Sequence, residues 1–244
     1  MTKKSKIVFH HVPKCGGMSI TAGLAISYFP FKLLRYGKPG FSGGLNARAA
    51  SEAAGKVGQD IYAYRRSLLP YTMRAERMGF VFGHNPFVRS VFEDFKAEWN
   101  FITLLRHPLE RWYSEYFWNR YKDHDYAKTG LDLEAYLQAL SGQIATKTFT
   151  IYFSEKEKPE EALETLKELD VVGVLENMED FKARLGKLLG RKPYFPKRNS
   201  SPASAEQKIR ADVNSAFHKD LLYALEGDIM IYRKMREHMG LPLS

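Results

Sequence analysis

Cysteine is nearly absent: Cys15 stands alone in 244 residues. A lone cysteine excludes an intramolecular disulfide and any zinc site built from several cysteines, and it fits a reducing, cytoplasmic setting. Long apolar runs are missing as well. The basic start MTKKSK is followed only by Ile7 to Phe9 before His10 and His11 intervene, so no secretory signal is readable. The uncharged stretch from Cys15 to Phe31 contains Gly, Ser, Thr and Pro, and it is too short and polar for a membrane span of about 20 apolar residues. A soluble chain without a transmembrane segment is expected.

Acidic residues are outnumbered, with 28 Asp+Glu against 37 Lys+Arg and a net charge of +9. Such an excess admits nucleic acid, an anionic membrane or a polyanionic small ligand. The basic residues recur in short groups, among them Arg65 with Arg66 and Arg74 with Arg77, without a long basic arm or a zinc-finger or RRM signature. A nucleic-acid polymer is therefore the weaker partner. The histidines show no metal-ligand spacing. What is plentiful is core material, 44% hydrophobic and 14% aromatic, enough for one large α/β domain over residues 1–244.

Residues 6 to 12 (KIVFHHV) read as a strand, PKCGG as a loop and SITAGLAISYF as a helix. From Pro30 to Gly58 the pattern is irregular, with a short helix around Asn46 to Ala54. Tyr62 to Met78 reads as a helix disturbed at Pro70, and Gly79 to Gly83 and Phe101 to Leu105 as buried strands. Pro108 opens a helix to about Tyr121. Asp132 to Leu140 and Pro159 to Leu169 read as helices, and Asp170 to Leu175 as a strand. Asn177 starts a helix ended by Gly190, Ser204 with Gln207 suggests another helix start, and Glu226 to His238 is the last helix. Strands alternating with helices imply a parallel sheet covered on both faces, with ligands at the carboxyl ends of its strands.

The glycine loop lies at such an end. Gly16 and Gly17 let the backbone approach an anion, the following helix presents free N–H groups, and Lys14 and Ser19 add a cation and a hydroxyl. A purely structural strand-to-helix turn is the alternative. Walker A is excluded, because Gly37-Lys38, Gly55-Lys56 and Gly186-Lys187 are the only Gly-Lys pairs and none precedes Ser or Thr. A second constellation, FITLLRHPLERWYSEYFW, places Arg106 at a strand end and Ser114 in the second turn of the next helix. Together they can clamp a further phosphate, or Arg106 can simply pair with Glu110.

HVPKCGGMSI resembles the 5′-phosphosulfate loop, and LLRHPLERWYSEY the 3′-phosphate motif, of carbohydrate sulfotransferases that use 3′-phosphoadenosine 5′-phosphosulfate (PAPS). The spacing is most similar to the heparan sulfate 2-O-sulfotransferase-like group and its bacterial relatives. FGHNPF, VGVLENMEDF, KRNSS and DIMIYRKM follow in the group's order. The resemblance implies a P-loop-kinase-like three-layer α/β sandwich with a central parallel sheet. It implies that Lys14 and Ser19, with Cys15, Gly16, Gly17 and Met18 between them, hold the 5′-phosphosulfate. Arg106 and Ser114 would hold the 3′-phosphate, Asn199 or Ser200 would close over the nucleotide, and His84 would be the base. Met18 stands where the family usually has Thr, and His107 where it usually has Asp.

The expected chemistry is in-line sulfuryl transfer from PAPS to a hydroxyl of a glycan or glycoconjugate, releasing 3′-phosphoadenosine 5′-phosphate (PAP). Lys14 and helix N–H groups would offset charge growing on the leaving phosphate, and a near-neutral imidazole at His84 would take the alcohol's proton. No metal is called for. The arginine groups before His84 suggest an extended or anionic acceptor, or else a solvated arginine-rich helix. Two rivals stay open: a non-catalytic nucleotide or anionic-glycan binding protein on the same fold, and an ATP-using kinase.

Overall fold

The computed structural model describes residues 6–25, 42–75, 79–123, 125–195 and 215–242. Its sheet is built from runs buried on both faces, as strands covered by helices on either side must be. β1 (Lys6–His10) is buried from Ile7 onward, β3 is Phe80–Gly83, all seven residues of β4 (Trp99–Leu105) are buried, and β5 is Val171–Val174. With β2 (Ser42–Leu45) they form an all-parallel sheet in the order β2-β3-β1-β4-β5. The expected α/β sandwich with a central parallel sheet is the fold observed.

On one face Ile7, Phe9, Phe80 and Ile102 pack against Ile20 and Leu24 of α1, helical over 17–25, and against Phe181 and Leu185 of α10 (Met178–Leu189). On the other, Val8, Val81 and Phe101 meet five helices: α3 (Ile61–Arg74), α4 (Arg89–Phe95), α8 (Thr148–Phe153), α9 (Pro159–Glu168) and α12 (Glu226–His238). A third cluster joins Trp112, Tyr116 and Phe117 of α5 (Pro108–Tyr121) to Tyr136 of α6 (Leu133–Gln138) and Leu221 of α11 (Ser215–Ala224). α2 (Ala47–Lys56) and α7 (Leu140–Thr146) are the remaining α-helices among the described residues.

Several local signals act as read. Asn46 caps α2 through Ala49 N–H, Asn177 caps α10 through Asp180 N–H, and Gly190 closes α10 at φ 70°. Other boundaries differ. The first strand stops at His10, because from His11 the chain leaves the ladder to form the loop. β2 lies in the stretch expected to be irregular, and its Gly-containing sequence SGGL is held extended by pairing with β3. Pro70 sits inside α3, which runs on to Arg74. The Ser204–Gln207 pattern lies outside the described residues. Because all strands are parallel, loop 11–16, His84, Arg106 and residues 175–177 leave the sheet at one edge.

Candidate functional site

Loop 11–16 carries two residues in left-handed conformation, Lys14 at φ 64° and Gly16 at φ 76°. A Cβ on Gly16 would meet the Leu175 side chain at 2.9 Å. At Gly17 the need is room: a Cβ would lie 1.9 Å from the His11 ring. Ser19 follows, partly buried in the first turn of α1, and its N–H donates to the Gly16 carbonyl at 3.2 Å. The Lys14 ammonium lies 4.4 Å from the centroid of the Trp118 ring.

Two residues carried over with the motif have side chains that leave this loop. Cys15 is buried in the core; its thiol donates to the Pro13 carbonyl at 3.6 Å, and burial pushes its pKa up to about 12. It is an inert packing group. Met18 is 54% exposed and places a thioether, not a hydroxyl, at the helix start.

Arg106 follows β4, the neighbour of β1. Its guanidinium donates to the Lys14 carbonyl at 3.3 Å and lies 3.7 Å from a Glu110 carboxylate oxygen. The arginine thus has both partners: the anion loop and the carboxylate four residues on. His107 is braced by Glu176, which accepts from the His107 N–H at 2.8 Å and from the Tyr232 hydroxyl at 2.9 Å. Ser114 is half-buried on the second turn of α5.

His84 follows Gly83, whose φ of 132° and approach to the Leu45 carbonyl, 2.5 Å from an added Cβ, leave room only for glycine. The His84 Nδ1 lies 2.8 Å from the His11 carbonyl, an acceptor. Nδ1 therefore carries the hydrogen and Nε2 the lone pair. The His11 and His84 rings are 4.5 Å apart, and His11 stacks on Phe9. Burial lowers the His84 pKa to about 4; the His11 carbonyl opposes this, and the Arg65 and Lys14 charges add to it. The near-neutral imidazole expected at this position is thus corrected to a much weaker base. His10, on the other face of β1, is fully buried against the Asn85 carbonyl, and burial lowers its pKa to about 4.

The arginines read as an acceptor surface serve the fold. Arg65 is buried and donates to the Ala47 carbonyl, Arg66 donates to the carbonyls of Ile151 and Ser154, and Arg74 pairs with Asp94 at 2.9 Å. Arg77, Asn199 and Ser200 lie outside the described residues. Arg106 and His84 both reach loop 11–16, which carries Lys14, at the carbonyls of Lys14 and His11. Sequence reasoning passed over Glu176. It grouped Trp118 with Trp112, Tyr113, Tyr116 and Phe117 as mainly core, with one on the exposed side able to stack on a sugar ring or the adenine, and Trp118 is the exposed one at 44%. A carboxylate directly after a buried strand marked Glu176, and spacing of four from Ser114 marked Trp118.

Among the described residues, no helix is long and apolar enough to cross a membrane, and no cluster of three or more His, Cys, Asp or Glu side chains has the arrangement of a metal site. No family model matches the chain, and no curated protein does. Among solved structures it is similar to a sulfotransferase from Alicyclobacillus acidocaldarius, with 16% identity, coverage of 92% of this chain and 95% of that chain, and a TM-score of 0.44.

Proposed function

We propose that the chain is a sulfotransferase that takes its sulfuryl group from PAPS and passes it to a hydroxyl of a glycan or glycoconjugate. One contact carries the reading: Arg106, from the end of β4, reaches the carbonyl of Lys14 in the loop after β1. Two cations at neighbouring strand ends match a ligand with separate anionic groups. The His11 ring requires glycine at position 17, and α1 begins three residues after Lys14, so a cation precedes a helix N-terminus, an arrangement that favours an anion.

When bound, PAPS supplies a sulfuryl group on a phosphate leaving group. Lys14 and the leading N–H groups of α1 offset negative charge at the loop. Arg106 and Ser114 hold the 3′-phosphate. His84, neutral at pH 7, accepts the alcohol's proton at Nε2. Negative charge brought beside it would raise its pKa from about 4 toward a more useful range. That low basicity also favours a second reading, a non-catalytic binder of nucleotide or anionic glycan on the same fold. The kinase reading has no Gly-Lys-Ser/Thr element to support it.

Heat stabilisation tests the donor site. PAP should stabilise the protein far more than AMP or ATP, since a ligand's affinity for the folded state adds to apparent stability. Arg106→Ala should cost about 1.5 to 3 kcal/mol of PAP binding, roughly 10- to 100-fold in affinity, and erase most of the preference. Equal stabilisation by ATP, or an unchanged preference in the variant, would turn the reading toward the kinase.

A further inference from the structure

The protein has three tryptophans, and Trp118 alone is at the surface: it is 44% exposed, whereas Trp99 and Trp112 are fully buried. An exposed indole next to a cationic loop calls for a reason. Trp118 stands four residues after Ser114 on α5, so both occupy one helix face. The Lys14 ammonium lies over its ring, 4.4 Å from the centroid. Lys14 reaches this position from a left-handed backbone conformation, φ 64°, that is sterically unfavourable for a residue with a Cβ. The same residue offers its carbonyl to Arg106.

We propose that Trp118 is a positioning residue that holds the Lys14 ammonium at the anion loop through its ring face. The inference rests on the donor reading above and deepens it. A lysine side chain has many rotamers, and ordering it on an anion is entropically costly. An indole face restrains the ammonium and leaves N–H groups on its far side for anion oxygens. The 5′ group of a nucleotide then meets a cation already in place.

The test separates the 5′ site from the rest of the nucleotide. Dissociation constants for PAP and for adenosine 3′-phosphate are measured by calorimetry on wild type, Trp118→Phe, Trp118→Leu and Lys14→Met. The ratio of the two constants reports the 5′ contribution alone. Trp118→Leu should reduce that ratio by about three- to tenfold, Trp118→Phe should hold it within about twofold, and Lys14→Met should reduce it at least as far as leucine does. Adding Trp118→Leu to Lys14→Met should change nothing more. Trp118→Gln replaces the leucine variant should that one fail to fold. An unchanged ratio in Trp118→Leu, or equal losses with leucine and phenylalanine, would overturn this role for Trp118 while the donor reading stands. Absence of PAP binding to wild type would overturn both.

Discussion

Gly17→Ala is the sharpest perturbation of the anion loop. The new Cβ would lie 1.9 Å from His11 Cδ2, 2.0 Å from Nε2 and 2.5 Å from Cγ, against an ordinary contact distance of about 3.5 Å. The ring has little freedom to retreat, since Phe9 stacks on it at 5.6 Å, nearly parallel, and His84 lies 4.5 Å away. Forcing a methyl into such a site typically costs about 1 to 3 kcal/mol. Alanine's better helix propensity at the start of α1 returns up to about 1 kcal/mol. The net expectation is about 1 to 2 kcal/mol of destabilisation, or a melting temperature lower by roughly 3 to 6 °C for a chain of this size. His11→Ala removes the obstacle, so the double variant should be more stable than the single effects predict, by at least about 1 kcal/mol. Circular-dichroism melts of the four proteins read this directly. A Gly17→Ala protein that melts at or above wild type, with additive effects in the double variant, would refute the close approach of the His11 ring to Gly17.

Acid should destabilise the fold. Burial depresses the His10 pKa to about 4, below its ordinary 6.5, so its contribution is complete above pH 6.5 and is lost as pH falls toward 4. At pH 5 the loss from His10 is about 2 kcal/mol, His11 and His84 act in the same direction, and Asp228, raised by burial to about 6, offsets about 1 kcal/mol. Urea midpoints that do not fall between pH 7 and pH 5 would contradict this. His84→Ala should lower turnover by about 100-fold or more while PAP affinity, measured by calorimetry, stays nearly constant. Retained turnover in the folded variant would move the base to His11 or Glu115, the latter now held by Arg111 at 2.5 Å.

Elements whose signals are local were legible in the sequence: the apolar runs of β1, β3, β4 and β5, Pro108 at the head of α5, and the Asn177 and Gly190 ends of α10. Features that depend on distant partners were not. α8 owes its start to Asp228, which accepts from the Phe149 and Thr150 N–H groups at 2.8 and 3.1 Å from far along the chain. β2 needs the edge of β3. Arg66 looks free in sequence because its acceptors, the carbonyls of Ile151 and Ser154, lie more than 80 positions away. The site shows the same division. Loop 11–16, Arg106 and His84 could be read from motif order, whereas the lowered His84 pKa arises from burial that no local pattern encodes.

The central claim is most directly tested by incubating the protein with sulfur-labelled PAPS and a panel of hydroxyl acceptors, glycans and glycoconjugates included, and following the label. Catalysis predicts label in an acceptor, formation of PAP in equal amount, and loss of both with His84→Ala. Label that remains in the donor across the whole panel, while PAP still stabilises the protein against heat, would contradict sulfuryl transfer and leave a nucleotide-binding protein.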